Sequence, residues 1–452
     1  MLSTLNKWRK AIGMDKAVFY TAGGRGWAMA SGLVTLVMVG TQFSREVQGY
    51  YYTFASVMSL QLLLELGLSQ SLIQFASHEC SRLVLEPDGR LSGDPAARAR
   101  LQSLGRLAVR WYGILSLLVL GVIGGAGHWF FSSQPHEQIE WMAPWWLFCL
   151  GSALNLCLTP YFFLLEGCNQ VASVNRCRLI MAISSSLSAW TAMACGAQLY
   201  TCVAASFASF IPAAIYLWRS WPGFLREIAQ APAGAARQWI REIWPFQWRI
   251  SISWASGFFI FSLFTPVLFK FHGPVLAGQM GMSWQAVSAV GAIAAAWNQS
   301  KAPLYGMLIS RGQIAELNRL FRRATVQSIM VAAAGVAVLL AAVAVLKAVH
   351  PLGQRFLDLP ALSLLAIATV AGQLVTGMAV YLRAHKQEPF MVVSVASAVA
   401  MIAGLIVLGK PWGGFGAALA YAISVIIVSL PMGACIFKRK KAEWHPAAGI
   451  QT

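Results

Sequence analysis

Two arginines and one glutamate stand inside segments that are otherwise apolar: Arg25 in TAGGRGWAMASG, Arg249 in FQWRISISWASG and Glu65 in LLLELGLSQ. A guanidinium stays charged and offers a planar fork of donors, which suits bidentate bonding to phosphate oxygens in a poorly hydrated place. A carboxyl in such surroundings suits proton or cation coupling, or pairing with an arginine. Both have a structural alternative. An arginine can snorkel to the membrane surface, and a carboxyl can be held by hydrogen bonds between helices. A charge at mid-span costs at least ~2.5–3.5 kcal/mol, so it usually faces a cavity or a partner. Catalytic and metal chemistry find no support. There is no paired-carboxylate site, no Gly-rich nucleotide loop and no C-x-x-C spacing among the 8 cysteines. No metal or cofactor is expected.

The elements that must position these groups are membrane helices. A hydrocarbon core about 30 Å thick takes roughly 20 apolar residues of helix to cross. Twelve such spans are predicted, near 18–41, 49–75, 107–131, 141–165, 178–196, 199–218, 246–269, 275–299, 324–346, 359–382, 389–409 and 412–436. Mean hydropathy of +0.61 excludes an ordinary soluble globule. The connections between odd and even spans hold five basic residues, Arg45, Lys270, Lys347, Arg355 and Lys410, against twenty-six at the termini and in the other connections. That asymmetry places both termini in the cytoplasm. It also accounts for the net charge of +18, since basic residues at the membrane surface meet anionic lipid. Nucleic acid is not an expected partner, because no basic domain stands outside the membrane. The first apolar stretch reads as a resident span, too long for a cleavable signal.

The chain divides into two halves of six spans. The expected domains are an amphipathic segment (1–17), an N-terminal six-helix lobe (18–218), an amphipathic cytoplasmic linker (219–245), a C-terminal six-helix lobe (246–437) and a basic tail (438–452). Each half opens on an amphipathic stretch, then a span with an early arginine ahead of Ala-Ser-Gly: Ala30-Ser31-Gly32 after Arg25, and Ala255-Ser256-Gly257 after Arg249. An even number of spans returns the chain to the same side, so the lobes are parallel repeats, with a transport site expected between them. No loop is large enough to form an enzyme domain. Cys195 and Cys202 bracket a hairpin and either pair or stay free thiols.

Certain runs resemble a known family. Gln48-Gly49-Tyr50-Tyr51-Tyr52-Thr53-Phe54, Glu65-Leu66-Gly67-Leu68 and Gln74-Phe75-Ala76-Ser77-His78-Glu79 are similar to the polysaccharide-transporter branch of the multidrug/oligosaccharidyl-lipid/polysaccharide exporter superfamily. So are Gln247-Trp248-Arg249-Ile250, Ala277-Gly278-Gln279-Met280-Gly281-Met282 and Lys301-Ala302-Pro303. The resemblance implies an all-α polytopic protein of about 12 transmembrane helices, in two six-helix lobes around a central cavity. It implies a bacterial inner-membrane flippase that moves an isoprenoid-pyrophosphate-linked oligosaccharide to the periplasmic leaflet by alternating access. The implied partners are that lipid-linked oligosaccharide, membrane lipids and polysaccharide polymerase or assembly proteins.

A pyrophosphate carrier needs cationic forks, so Arg25 and Arg249 are the leading candidates for binding it. Related flippases place cavity arginines on the first helix and some at the start of the second. Here the second position reads Tyr50-Tyr51-Tyr52, so a full arginine cluster does not carry over. Glu65 is a candidate coupling residue or a structural carboxyl. Gln279 is a candidate sugar donor, or part of close helix packing at Gly278 and Gly281. Asn298 and Lys301 are candidates to meet an incoming headgroup. Lys270 and His272 are candidates for a departing one, with interfacial anchoring as the alternative. Two other functions compete. A drug or cation antiporter of the same superfamily would want an acidic cavity, and none is evident. A membrane glycosyltransferase would want paired carboxylates on a large external loop, and the external acids here are scattered on short ones.

Overall fold

The computed structural model describes residues 16–65, 67–86, 89–133, 139–230, 236–385, 387 and 389–444. The expected amphipathic segment up to residue 15, residues 231–235 of the linker and 445–452 of the tail lie outside them. Every one of the twelve expected spans is helical, because a helix satisfies its backbone internally where no water can do so. The first is α1 (Lys16–Gln42). The second is three pieces, α2 (Arg45–Met58), α3 (Gln61–Glu65) and α4 (Leu68–Cys80). The third is α5 (Pro95–Leu118), which runs through a π turn into α6 (Gly124–Ser132). The fourth to sixth are α7 (Met142–Gly167), α8 (Val171–Ala194) and α9 (Tyr200–Ser220).

A short helix, α10 (Pro222–Ala229), precedes the seventh span, which is split into α11 (Ala236–Phe261) and α12 (Phe264–His272). The eighth is α13 (Pro274–Gln299). After α14 (Ala302–Ser310) come α15 (Ile314–Val349) and α16 (Leu359–Ala384). The last two are α17 (Met391–Gly404), α18 (Lys410–Ile423) and α19 (Leu430–Trp444), joined through π turns. Seven helical runs among the described residues are long and apolar enough to cross a membrane, the last of them holding two spans. The first, second, fifth and eighth spans fall short of that measure. They carry Arg25, the breaks around α3, Arg176 with Arg178, and Gln279 with Asn298.

The chain forms two compact units, Met1–Phe43 with Val57–Ser251, and Ser44–Ser56 with Ile252–Thr452. The expected lobes follow span number, whereas the units follow contact. The chain passes between units inside the second span, just before a turn at Ser59 and Leu60, and inside the seventh, at Ser251 and Ile252. Gly67 closes the break after α3 in the left-handed conformation (φ 68°), which glycine adopts without strain.

In the first unit α1 lies along α8, where Trp27 Nε1 bonds Ser186 (3.3 Å) and Trp190 Nε1 bonds Thr35 (2.9 Å). Trp145 of α7 is fully buried, and its Nε1 donates to the Gly124 carbonyl (2.9 Å). Gly127 makes room for it: a Cβ there would stand 2.1 Å from the indole. A hairpin of β1 (Leu83–Leu85) and β2 (Leu91–Gly93) precedes α5. Cys80 and Cys168, with Cα atoms 5.3 Å apart, form a disulfide. The pairing considered for Cys195 and Cys202 does not form. Cys195 is exposed at the end of α8 while Cys202 is buried in α9, and both are free.

In the second unit α13, α15 and α16 pack together around buried hydroxyls and amides. Ser328 Oγ donates to the Ala294 carbonyl (2.8 Å) and to Gln373 Oε1 (3.1 Å). The start of α13 receives α2 at glycine distance. A Cβ on Gly49 would fall 2.0 Å from the Pro274 oxygen, and one on Gly281 would fall 2.4 Å from the Tyr52 ring. This is the small-residue contact of membrane helices.

Candidate functional site

Within the first unit, Arg25 lies nine residues along the 27-residue α1, roughly 14 Å from its start at 1.5 Å per residue. The face that packs on α8 carries Thr21, Gly23, Trp27 and Thr35. Arg25, one turn beyond Thr21, is exposed and has no hydrogen bond or ion pair among the described residues. A Cβ added at Gly24 or Gly26 beside it would meet no side chain or neighbouring element within 4 Å. Well inside the helix, its guanidinium is thus an exposed group of five donors with no partner among the described residues. Arg249 lies in α11, and its side chain lies outside the described residues.

Glu65 ends α3 at the break in the second span. The Tyr112 hydroxyl of α5 donates to its carboxylate at 2.7 Å. The residue therefore bridges two spans. The end of this unit that holds most of its basic residues is laced with ion pairs. Arg100 bonds Glu79 (2.8 Å) and Glu242 (3.2 Å), with Trp239 beneath its guanidinium at 4.6 Å. Arg98 (2.5 Å) and Gln102 (2.6 Å) both donate to the buried Glu227 of α10. Arg178 bonds both oxygens of Glu166 (2.5 and 3.0 Å). Phe224, Ile228 and Trp239, apolar residues of the amphipathic linker, are buried in protein.

The second unit holds the other candidates. Asn298 is fully enclosed. Its Oδ1 accepts from Thr325 Oγ1 at 3.1 Å, and its Nδ2 is an unpartnered buried donor among the described residues. A meeting with a headgroup, as the sequence suggests, would require this packing to open. Lys301, half-buried, stands just before α14, with no side-chain hydrogen bond to the helix start. Lys270 is exposed beside Phe271 (5.9 Å), with Lys410 over the same ring (5.1 Å).

At that same end, where basic residues are scarce, Gln279 Nε2 donates to the Gln354 carbonyl at 2.8 Å. Around it stands a polar cluster that the sequence reading did not assemble. Gln48 is buried and donates to the carbonyls of Gly278 (2.9 Å) and Arg355 (3.3 Å). Its Oε1 accepts from Arg355 Nη1 (3.3 Å), and Arg45 donates to Gln354 Oε1. Burial pushes the Arg355 guanidinium below its ordinary pKa, and neighbouring Arg45 pushes the same way against the opposing pull of Glu46. Gln48 and Gln279 lie in runs that the family resemblance had already marked. The loop residues Gln354 and Arg355 gave no such signal.

The architecture is shared with solved transporter structures. A structure of the lipid II flippase MurJ in its inward closed conformation matches with a TM-score of 0.68 at 11% identity, over 93% of this chain and 87% of that one. The chain has the fold of the MOP-superfamily transporters. An inward-facing multidrug resistance MATE family transporter gives 0.62 at 11% identity, over 92% of this chain and 99% of that one. An outward-facing one gives 0.53 at 11% identity, over 96% and 98%. No protein-family model matches the sequence, and no curated protein sequence does.

Proposed function

We propose that this protein is a flippase. It would carry an isoprenoid-pyrophosphate-linked oligosaccharide from the cytoplasmic to the periplasmic leaflet of a bacterial inner membrane, for surface polysaccharide synthesis. The observation that carries the reading is Arg25, an exposed cation well inside the first span, with no partner among the described residues and glycines around it. Such a group is costly in a membrane unless an anion meets it. A pyrophosphate supplies that anion, and the guanidinium fork fits its oxygens. Arg249, early in the seventh span, would assist. The solved neighbours with this fold include a lipid flippase and transporters caught in inward- and outward-facing forms, which supports alternating access. Basic-residue asymmetry supports cytoplasmic termini.

The test is mass spectrometry of lipid from cells depleted of the protein, with the leaflet of any isoprenoid-pyrophosphate glycan probed by an impermeant reagent. Cytoplasmic-side accumulation, cleared by the wild type and not by Arg25→Ala at equal membrane abundance, is the expected result. Normal clearance by Arg25→Ala would remove the proposed role. The MATE-like fold favours one second reading, a drug or cation antiporter. An unchanged lipid-linked pool with new sensitivity to cationic drugs would establish that instead.

A further inference from the structure

The bond between Cys80 and Cys168 stands where a permanent disulfide is out of place. Cys80 ends α4 and Cys168 follows α7, at the end of the first unit that holds most of its basic residues. In the orientation proposed above that end faces the cytoplasm. Thiols there are kept reduced, and the disulfides that do form serve catalysis or redox sensing. The pair is nonetheless set up to close. Gly167, the residue before Cys168, lets α7 meet α4 closely: a Cβ there would stand 2.4 Å from the Ala76 Cβ. The two cysteine Cα atoms are 5.3 Å apart, inside the ordinary disulfide range.

The surroundings suit thiol exchange. A cavity of about 560 Å³ lies between the end of α4, the β1–β2 hairpin and the turn from α7 to α8, and both cysteines line it with Ser77, Ser81, Glu166 and Gln170. That volume is in the range of small-molecule sites, roughly 300–1,000 Å³. Cys80 is half-buried and Cys168 only 7% exposed, so Cys80 is the residue open to attack and Cys168 the sheltered leaving group. The carboxylates beside the pair in sequence are both taken up by arginines, Glu79 by Arg100 (2.8 Å) and Glu166 by Arg178 (2.5 Å). Neither stands free to repel an incoming thiolate. The second span is broken at Ser59 and Leu60 and again at Gly67, so α4 is a separate segment, held by its packing on α7 and by this bond.

We propose that Cys80 and Cys168 form a reversible thiol–disulfide site for a small cytoplasmic thiol received in this cavity, and that the disulfide locks α4 onto α7. The site rests on the proposed orientation and on no assignment of the transported substrate. The thiolate of the small thiol attacks the Cys80 sulfur. A new S–S bond forms as the Cys80–Cys168 bond breaks, and the electron pair leaves on Cys168, which takes a proton from water. A second small thiol attacks the sulfur of the first, releasing Cys80 as a thiol and the pair of small thiols as their disulfide. Two electrons and two protons have then passed from the small thiols to the protein, and α4 is free of its tie. The small disulfide drives the same steps in reverse and restores the lock.

The experiment reads the wild-type pair in its own membrane. Intact cells are quenched in acid before and after brief exposure to diamide, which oxidises the small-thiol pool. Free and paired cysteines are then alkylated in turn and counted by mass spectrometry. The expected result is dithiol before, disulfide after, and dithiol again once the diamide is removed. A pair that never closes overturns the site. So does one that stays closed throughout, and an impermeant maleimide applied to reduced inverted vesicles and spheroplasts says why. Labelling of Cys80 in inverted vesicles alone makes the closed bond a structural one, whereas labelling from outside alone removes the orientation. In purified full-length protein the probe is glutathione disulfide. Cys168→Ser should retain glutathione on Cys80, and Cys80→Ser should carry roughly tenfold less on sheltered Cys168. Equal adducts overturn the order of attack. Hydrogen exchange over residues 68–80 should quicken roughly tenfold when the wild type is reduced, because an 88-residue link is released. Cys80→Ser should exchange at the faster rate with or without reductant. Equal exchange in both states of the wild type overturns the lock.

Discussion

The hydroxyl of Tyr112 donates to the carboxylate of Glu65 across 2.7 Å, joining the third span to the break in the second. Two roles for Glu65 then make opposite forecasts. Tyr112→Phe removes the donor and should destabilise the protein by about 1–3 kcal/mol, seen as a lower melting temperature in detergent. Glu65→Gln keeps an acceptor for Tyr112 but loses the exchangeable proton. If Glu65 couples transport to protons, Glu65→Gln melts like the wild type and no longer responds to a pH gradient in proteoliposomes. Full pH-driven transport by that variant leaves Glu65 a structural carboxyl.

Glu227 should anchor α10 to α5. Its side chain is 8% exposed and accepts from Arg98 and Gln102, whereas Arg98 is 43% exposed. Glu227→Ala leaves Gln102 and part of Arg98 without an acceptor. Because Arg98 can turn to water, the cost should be moderate, about 1–3 kcal/mol. A melting temperature equal to that of the wild type would show that the apolar contacts of Phe224 and Ile228 hold the helix unaided.

Glycines give a paired forecast. Gly49→Ala drives a methyl to 2.0 Å from the Pro274 oxygen, a backbone atom with no freedom to swing aside. It should cost about 1–3 kcal/mol or more, as overpacking does. Gly24→Ala meets nothing within 4 Å and lies inside α1, so it should be neutral or gain up to ~1 kcal/mol. Equal melting temperatures for the two variants would contradict the packing of α2 on α13.

The spans were legible because each is a long apolar run that only a helix can satisfy, and the structure makes all twelve helical. The breaks were partly legible: Gly67 marks the one beside Glu65, while nothing at Ser59 or Leu60 announces the turn. Partners were not legible. Tyr112 reads as one more aromatic in a span, and its bond to Glu65 depends on a packing that spacing does not encode. The cluster of Arg45, Gln48, Gln279 and Arg355 joins positions more than 200 residues apart. Cysteine spacing left Cys195 and Cys202 as either a pair or free thiols, and they are free, whereas nothing in it marked Cys80 and Cys168, the pair that forms across 88 residues.

His385 should make the docking of the C-terminal helix sensitive to pH. Its ring stacks on Trp444 of α19 (centroids 4.3 Å apart) and its Nδ1 meets the Tyr381 carbonyl at 3.1 Å. Lys440 lies 5.8 Å from the same indole and pairs with Glu443 at 2.8 Å. Burial disfavours the imidazolium and holds the folded pKa below its ordinary 6.5, the Tyr381 carbonyl opposing in part. The unfolded chain therefore binds more protons just below that value, and stability rises with pH there. The stabilising contribution is complete above 6.5 and is lost as the pH falls through the window beneath it. Hydrogen exchange over residues 437–444 should accordingly quicken between about pH 7.5 and 5.5, after correction for the intrinsic rate. His385→Phe keeps the stack and cannot titrate, so its protection should be the same at both values. An identical acid response in that variant would assign the sensitivity to another group.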